Sequence, residues 1–346
     1  MPEDSIEHID FEKLRKNAIS DPLVKHIFTA DPSAHVFDNK IYIYPSHDID
    51  AGEAFDDLGS HFAMEDYHVI SMDNVNSVAL DHGVALHIDN VAWAKKQMWA
   101  PDANEKNGVY YLFFPAKDYD DIFRIGVATS KSPSGPFLAR PQAIKNSFSI
   151  DPAVFKDDDE SYYMYFGGLW GGQLQRWQSG VYNKEQPESP TAHIPKDHEP
   201  ALLPFVAKMT DNLLEFAETP KELQLLDESG NLLLAGDNNR RFFEAAWLHK
   251  HQGSYYFSYS TGDTHFICYA TGNNPYGPFT YRGKILNPVV GWTTHHSICH
   301  IKGRDYLFYH DSSLSRGVTH LRSIKITEIN YRDDGSIITI NPYGKL

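Results

Sequence analysis

Short apolar runs, each about one β-strand long, recur along most of the 346-residue chain. Gly, Pro, Asn or Asp separates most of these runs, a pattern typical of strands joined by turns. The most helix-like stretch, residues 211–226, is interrupted by Pro220. The pattern therefore predicts an all-β protein. Residues 1–28 read instead as a polar, partly helical lead-in segment. Its weak apolar face consists of Phe11, Leu14, Ile19 and Leu23.

One strand pattern is repeated five times. In each copy an acidic residue, or a histidine pair in the last copy, precedes an aromatic strand by about one strand's length. The copies are Asp31 with 41–44, Asp102 with 110–113, Asp151 with 162–165, Glu244 with 255–258, and His295–His296 with 306–309. A strand-rich unit recurring roughly every 40 to 70 residues is typical of a β-propeller. Equivalent positions of the blades would then converge on one central funnel.

A second repeat supports the same unit. Residues 127–137 and 269–279 share an Ala-Thr step followed by Pro-x-Gly-Pro-Phe, and each follows an aromatic strand. Proline fixes φ and glycine supplies an unusual dihedral, so this motif predicts a turn leading into an outer strand. We expect a single-domain, five-bladed β-propeller over residues 29–346. Its blades would start near Asp31, Trp99, Asp151, Glu244 and His296, with a strand near 337–341 closing the ring.

The composition of the chain argues against two classes of binding partner. The net charge of −15 and the absence of a long basic stretch argue against nucleic acid and anionic membrane surfaces. Two cysteines form no disulfide framework and no CxxC metal motif. The chain shows no apolar secretory signal and no 18-residue apolar stretch, which predicts a cytoplasmic protein. Whether it forms a homo-oligomer stays open. The 13% aromatic content suits β-strands, and also surfaces that stack on sugar rings.

Three carboxylates occupy equivalent blade positions. Asp31 and Asp151 each stand before a proline, and Glu244 stands before a Tyr-Tyr strand. Because a residue before proline is disfavoured in the helical region, we expect both aspartates in extended backbone at the strand entry. Carboxylates brought together in one funnel are what acid/base chemistry on a glycosidic bond requires.

As an ordered set, these residues resemble glycoside hydrolase family 43, the five-bladed propeller β-xylosidases and α-L-arabinofuranosidases. The resemblance covers residues 29 to 342. It includes Trp99-Ala100-Pro101-Asp102, both Asp-Pro steps, Glu244, the late His296, and Arg322-Ser323-Ile324 followed by Asp334-Gly335-Ser336. It implies that Asp31 is the general base, Glu244 the general acid, and Asp151 the residue that raises the pKa of the acid and orients it. Inversion requires carboxyl groups about 6.5–9.5 Å apart, with room for a water.

The resemblance also implies substrate contacts. Trp99 would stack on the terminal sugar, and Asp102 is interpreted as a structural acid that holds strands together. Trp170, within a glycine-rich loop, is a candidate for the pocket rim, although the glycines alone could make a long turn. Arg322 resembles the arginine that reaches the substrate or steadies the catalytic acids. Arg316 is the competing position.

A metal is the last implied feature. In part of this family, a histidine equivalent to His296 holds a divalent cation, commonly Ca2+, on the propeller axis, with waters completing its shell. His295 is the alternative, because neighbouring strand residues point to opposite faces. Other histidines, such as His35 and His47, have no spacing signature and are interpreted as structural.

We therefore predict an inverting exo-glycosidase that releases xylose from the non-reducing end of short β-1,4-xylo-oligosaccharides. The alternative on the same site is an α-L-arabinofuranosidase or a bifunctional enzyme. A non-catalytic sugar-binding propeller is the alternative from another class, and the complete acid set argues against it. No organic cofactor is expected.

Overall fold

A computed structural model describes residues 9–185 and 191–344. Five antiparallel sheets form the blades. Blade 1 contains β1 Phe28–Phe37, β2 Lys40–Asp48, β3 Asp66–Met72 and β4 Leu80–His87. Blade 2 contains β5 Ala94–Lys96, β6 Asp102–Lys106, β7 Val109–Asp118, β8 Phe123–Ser130 and β9 Leu138–Ala139. Blade 3 contains β10 Ala153–Lys156, β11 Tyr162–Phe166, β12 Phe205–Lys208 and β13 Lys221–Glu222. Blade 4 contains β15 Glu244–His251, β16 Ser254–Ser260, β17 Ile267–Gly272 and β18 Phe279–Leu286, and the short β14 Leu225–Leu226 pairs in parallel with β18. Blade 5 contains β19 His296–Ile301, β20 Arg304–Asp311 and β21 Ser323–Glu328.

The blades close into a ring around their inner strands. β1 contacts β6, β6 contacts β10, β10 contacts β15, β15 contacts β19, and β19 contacts β1 again. This confirms the predicted all-β, five-bladed propeller. The inner strands begin at or near the residues predicted from the repeat, so the acids at their starts meet at one end of the axis.

The aromatic strand pairs with the inner strand of its blade, and its tyrosines join neighbouring blades. In three blades the first tyrosine donates a hydrogen bond to the first hairpin of the preceding blade. These bonds join Tyr110 to Asp38 (3.5 Å), Tyr162 to Glu105 (2.9 Å) and Tyr255 to Asp157 (2.7 Å). The repeated sequence thus encodes a repeated contact between blades.

The Pro-x-Gly-Pro-Phe turns are also equivalent in space. Tyr44 donates to the carbonyl of Pro133 at 2.6 Å, and Tyr165 donates to the carbonyl of Pro275 at 2.7 Å. The Gly-Pro bond of each turn is cis, and each turn leads into the outer strands β9 and β18. The prediction of a turn followed by an outer strand is confirmed.

The lead-in segment contains one helix, α1, at Phe11–Asn17. The Asp10 side chain caps it by accepting from the backbone N–H of Lys13 at 3.0 Å. Phe11 and Leu14 are buried against Val290 and Tyr343, whereas Ile19 is 44% exposed, so only the first half of the predicted face packs as a helix. Three-residue and four-residue 3₁₀ turns cover Ile88–Asn90, Trp170–Gly172, Leu174–Trp177 and Gly262–Thr264. No described helix is both long and apolar enough to span a membrane.

The prediction for residues 337–341 is wrong. This segment forms no strand in blade 5; Ile340 makes a parallel bridge to Leu286 at the end of blade 4. The outer strand of blade 5, β21, and the residue before it are instead bonded by the chain that enters blade 1: Leu23 of the lead-in segment donates to the carbonyl of Ile324, and Thr29 of β1 donates to that of Arg322. The apolar surface between blades 1 and 5 completes the closure.

Candidate active site

A pocket of about 710 Å3, its open mouth included, lies at the end of the axis where the inner strands begin. Asp31, Asp151 and Glu244 all line it, so the structure brings together the three carboxylates singled out in the sequence. Of the other predicted site residues, Trp99, Trp170 and Arg322 line the pocket, and His296 does not.

The backbone at the pocket differs from the prediction. Asp31 and Asp151 have φ of 50° and 57°, in the left-handed region rather than the extended one, and Ala245, directly after Glu244, has φ of 61°. Asp31 lies within a β-bulge of β1, and Glu244 lies at one in β15. Bulges re-aim side chains next to active sites, and aspartate tolerates this conformation better than most residues.

Asp31 is buried and held by three hydrogen bonds, two to its carboxylate and one from its backbone. Its Oδ1 accepts from Arg322 at 2.9 Å, its Oδ2 accepts from Ser46 at 2.6 Å, and its backbone N–H donates to His310 Nδ1 at 3.0 Å. Burial alone would raise the pKa of the Asp31 carboxyl, but the Arg322 charge outweighs it, with help from histidines and Ser46, and lowers that pKa to about 2. Asp31 is therefore ionised at neutral pH.

Two of the groups that hold Asp31 were missed in the sequence. Asp48 binds Arg322 through both carboxylate oxygens, at 2.7 and 2.8 Å, and fixes the guanidinium. His310 receives the Asp31 N–H at Nδ1, so its Nε2 carries the proton and donates to the carbonyl of Thr293 at 3.0 Å. Strand alternation places Ser46 and Asp48 on one face of β2, a signal that could have identified Asp48.

Glu244 has the opposite electrostatic environment. Burial first, then the negative charges of Asp151 and Asp31, raises the pKa of its carboxyl well above the ordinary value. Asp151 Oδ2 accepts from the N–H of Ala245 at 2.8 Å, which ties this aspartate to the backbone next to Glu244. Burial and the Asp31 charge also raise the pKa of Asp151. The pocket thus combines one carboxyl whose pKa is lowered, Asp31, with two whose pKa is raised, Asp151 and Glu244.

Aromatic side chains form the pocket wall. Trp99 donates its indole N–H to the carbonyl of Phe62 at 2.8 Å, and the two rings meet edge to face. Trp170 packs against Trp292 and Phe243, with ring centroids 5.5 and 5.4 Å away, respectively. Such faces match the apolar faces of a sugar ring.

Residues 49–65, which connect β2 to β3, supply a wall that the sequence did not reveal. Phe55, His61 and Phe62 of this connection line the pocket. The side chain of Asp56 accepts from the backbone N–H groups of Leu58 and Ser60, both at 2.9 Å, and so fixes the turn. The connection has no strand or helix periodicity, which is why pattern analysis passed over it.

The glycine-rich loop packs against that connection. A Cβ at Gly171 would lie 2.5 Å from the carbonyl oxygen of Leu58 and 3.1 Å from the Trp99 ring. A Cβ at Gly168 would lie 2.5 Å from Ile150. The glycines therefore permit close approach between protein segments that form the pocket wall.

The histidine assignment needs correction. His296 is fully buried, and its Nε2 pairs with the Ser258 hydroxyl at 2.6 Å, on the side of the strand away from the pocket. The preceding His295 lines the pocket instead. Among the described residues, neither of its buried ring nitrogens has a hydrogen-bond partner, and Nε2 lies 3.6 Å from Asp151 Oδ2. An unpartnered imidazole beside two carboxylates fits a hydrated divalent cation.

Two further interpretations can be compared with the structure. Asp102 lies at the axis but binds Ser33, His35 and the N–H of Val154, so it joins blades 1, 2 and 3 as a structural acid. Arg316 lies over the ring of Phe11 in α1 and does not line the pocket. Arg322, 3% exposed, is the pocket arginine.

Comparison with known proteins agrees with this geometry. The family model of glycosyl hydrolases family 43 matches residues 19–188 and 205–337. The chain is 56% identical over 328 residues to xylosidase/arabinosidase 43A of Humicola insolens, covering 93% of this chain and 99% of that protein.

Two solved structures are similar along nearly the whole chain. One is a GH43 β-xylosidase/α-arabinofuranosidase from a compost microbial metagenome, in complex with xylotriose and in a calcium-free form. It is 62% identical with a TM-score of 0.92, covering 94% of this chain and 98% of that one. The other is the GH43_1 enzyme of Xanthomonas citri complexed with xylotriose, 54% identical with a TM-score of 0.91, covering 97% of each chain.

Proposed function

The chain belongs to glycosyl hydrolase family 43, and we propose that it is an inverting, exo-acting β-xylosidase. Its substrates would be short β-1,4-xylo-oligosaccharides, from which it releases xylose at the non-reducing end. One feature carries the proposal: a single pocket holds Asp31, whose pKa the Arg322 charge lowers, and Glu244, whose pKa burial and the neighbouring carboxylates raise. That difference in pKa is what a base and an acid need to act at the same pH.

In the proposed reaction, one water and one glycosidic bond are consumed. Asp31 accepts a proton from the water, whose oxygen forms a bond to the anomeric carbon from the face opposite the leaving group. Glu244 donates its proton to the glycosidic oxygen as the carbon–oxygen bond breaks. Inversion follows from this single displacement. Solvent then restores the proton of Glu244 and removes that of Asp31.

The neighbouring residues would position these two groups. Arg322 keeps Asp31 ionised and is itself fixed by Asp48, so the base points in one direction without substrate. Asp151 anchors the backbone after Glu244, and because both carboxyls are buried in one pocket, ionisation of Asp151 disfavours ionisation of Glu244. Because the pKa of Asp31 is about 2, its basicity is low, and it would contribute mainly by placing the water.

The proposal that xylose is the glycon rests on similarity to solved structures and on the aromatic side chains of the pocket wall. Two similar structures hold xylotriose, and a pocket walled by Trp99 and Trp170 suits a pyranose ring. α-L-Arabinofuranosidase activity on the same site is the alternative, because similar proteins carry both names. Comparing kcat/KM on 4-nitrophenyl β-D-xylopyranoside and α-L-arabinofuranoside distinguishes the two.

We propose that His295, not His296, would hold a divalent cation, with Ca2+ the expected ion. When bound, the ion would add positive charge beside the carboxylates. Removal of the ion by a chelator followed by addition of Ca2+ tests this proposal, and activity unaffected by either treatment would count against it.

We also propose that the protein is cytoplasmic, which cell fractionation would test.

Glu244→Gln tests the assignment of the acid. Because an activated aryl glycoside needs little protonation of its leaving oxygen, we expect the variant to lose roughly 10²- to 10⁴-fold in kcat on xylobiose and far less on 4-nitrophenyl β-D-xylopyranoside. Steady-state kinetics on both substrates measure this. Glu53→Gln, at an exposed position, is the matched control. Equal losses on both substrates would remove Glu244 from the role.

A further inference from the structure

A cluster of histidines and aspartates lies on blade 1, outside the pocket. One ligand atom from each of His47, Asp66 and His68 lies within 4.8 Å of the other two. Their side chains are 10–17% exposed, so they are largely enclosed but open to ions. None of the three lines the pocket.

Strand register explains why these residues meet. β2 and β3 are antiparallel, and extending their pairing from Ile43 with Ile70 places His47 opposite Asp66. Side chains at 66 and 68 share a face because strand residues alternate. The two imidazole rings are accordingly 4.5 Å apart, and His47 Nδ1 lies 2.6 Å from Asp66 Oδ1.

A second carboxylate, that of Asp81, orients the His68 ring through the nitrogen that would not bind the ion. Asp81 Oδ1 accepts from the N–H of Gly83 at 2.8 Å and pairs with His68 Nδ1 at 2.8 Å. A carboxylate is an acceptor, so Nδ1 carries the proton, and no residue within 9–185 or 191–344 pairs with the lone pair of Nε2. His26, from the lead-in segment, holds the other oxygen of Asp81 at 2.8 Å. A carboxylate behind a histidine is the usual outer shell of a metal-binding imidazole.

We propose that His47, Asp66 and His68 form a binding site for Zn2+ or a similar borderline divalent ion such as Co2+. Two imidazoles and one carboxylate are a ligand set that such ions prefer, whereas Ca2+ prefers six to eight oxygens. Water would complete the shell. The ion would replace the hydrogen bond between His47 Nδ1 and Asp66 Oδ1, and the proton of that bond would leave to solvent. Bonds of about 2.0–2.2 Å also require the side chains to close slightly around the ion. The site stands independently of the proposed hydrolase function.

The ion would cross-link β2 and β3, two strands of blade 1. His47 belongs to β2 and the other two ligands to β3, while Asp81 and His26 extend the network to β4 and the lead-in segment. Because an ion that binds only the folded state stabilises it by mass action, Zn2+ should raise the unfolding temperature.

The test is a Co2+ titration of the full chain after chelator treatment, with excess Ca2+ present to occupy oxygen-rich sites. We expect one equivalent to bind with d–d bands in the visible spectrum, and Zn2+ to displace it. His68→Gln should abolish this binding, and Asp66→Asn should weaken it at least tenfold. Asp81→Asn, which removes only the outer carboxylate, should weaken it about 10- to 100-fold.

His198→Gln, which removes an exposed histidine elsewhere, is the control and should bind Co2+ like the unmodified chain. Circular dichroism establishes whether each variant is folded. If His68→Gln does not fold, the near-isosteric Asp66→Asn takes its place as the test variant. The proposal is overturned if folded His68→Gln and Asp66→Asn bind Co2+ as tightly as the unmodified chain. It is equally overturned if the unmodified chain binds only weakly at many sites.

Discussion

Arg322 connects two aspartates that the sequence separates from it by more than 270 residues. It donates to Asp31 through one nitrogen and to Asp48 through two others, all within 2.9 Å. The sequence identified Asp31 and Arg322 by their order along the chain. It could not identify their contact, because the contact depends on how blades 1 and 5 meet. His310 was missed for the same reason, whereas the position of Asp48 on one face of β2 was a usable signal.

Arg322→Gln removes the charge that holds the pKa of Asp31 down. Burial then dominates, so the pKa of Asp31 rises and a larger fraction of the base is protonated at acidic pH. We expect the acidic limb of kcat/KM to move to higher pH. The variant should also lose about 3–5 kcal/mol of stability, because Asp48 is left buried without its partner.

A pH–rate profile and urea unfolding measure these two effects. Arg316→Gln, at the arginine beside α1, should leave the profile unchanged. In the unmodified chain, the stability that ionised Asp31 contributes is present above pH 3.8 and is lost as the pH falls toward about 2. An unchanged acidic limb in folded Arg322→Gln would show that another group sets the charge of Asp31.

At the scale of elements, the strands and repeated turns could be predicted, but the connections could not. The repeated tyrosines and Pro-x-Gly-Pro-Phe turns have a periodic sequence because they make periodic contacts. Residues 49–65 have no period, since their conformation is set by Asp56 and by packing on the loop around Gly171. The left-handed backbone at Asp31 and Asp151 was not predicted either, and at Asp31 a β-bulge overrode the local preference of a residue before proline.

Gly171→Ala tests the packing of the two pocket segments. The added Cβ would lie 2.5 Å from the carbonyl oxygen of Leu58, so one segment must move. Because small displacements of a binding wall are costly, we expect kcat/KM on xylobiose to fall by roughly tenfold or more. Gly126→Ala is matched in severity, with a Cβ 2.5 Å from Trp93 inside blade 2, away from the pocket.

Stability and kinetics separate the two variants. Gly126→Ala should lower the unfolding temperature and leave the kinetics of the folded fraction unchanged. If Gly171→Ala likewise lowered only the unfolding temperature, the glycine-rich loop would contribute to stability and not to substrate binding or turnover.

For the whole molecule, ring closure was the feature that sequence reasoning placed wrongly. Residues 337–341 were expected in the last blade, but they lie beside blade 4. Blades 1 and 5 are joined by a buried apolar surface that includes Ile41, Ile43 and Phe308. Contacts between the two ends of a chain leave no local pattern, so the number of blades was predictable and the manner of closure was not.

Phe308→Ala tests that surface. Phe308 is fully buried between the first and last blades, and its truncation should cost about 3–5 kcal/mol. Because closure depends on both blades, we expect unfolding to remain one transition at a lower urea concentration. Leu138→Ala, at a leucine 77% exposed on blade 2, should change stability by less than about 0.5 kcal/mol. A separate early transition would mean that blades 1 and 5 unfold on their own.

The most direct measurement for the central claim is a proton NMR time course of xylobiose hydrolysis, following the anomeric signals before mutarotation. The account assigns Asp31 as a base acting through water and Glu244 as the acid, so α-xylose should form first at the newly cleaved anomeric centre. Initial formation of β-xylose would demonstrate retention and contradict the assignment of Asp31.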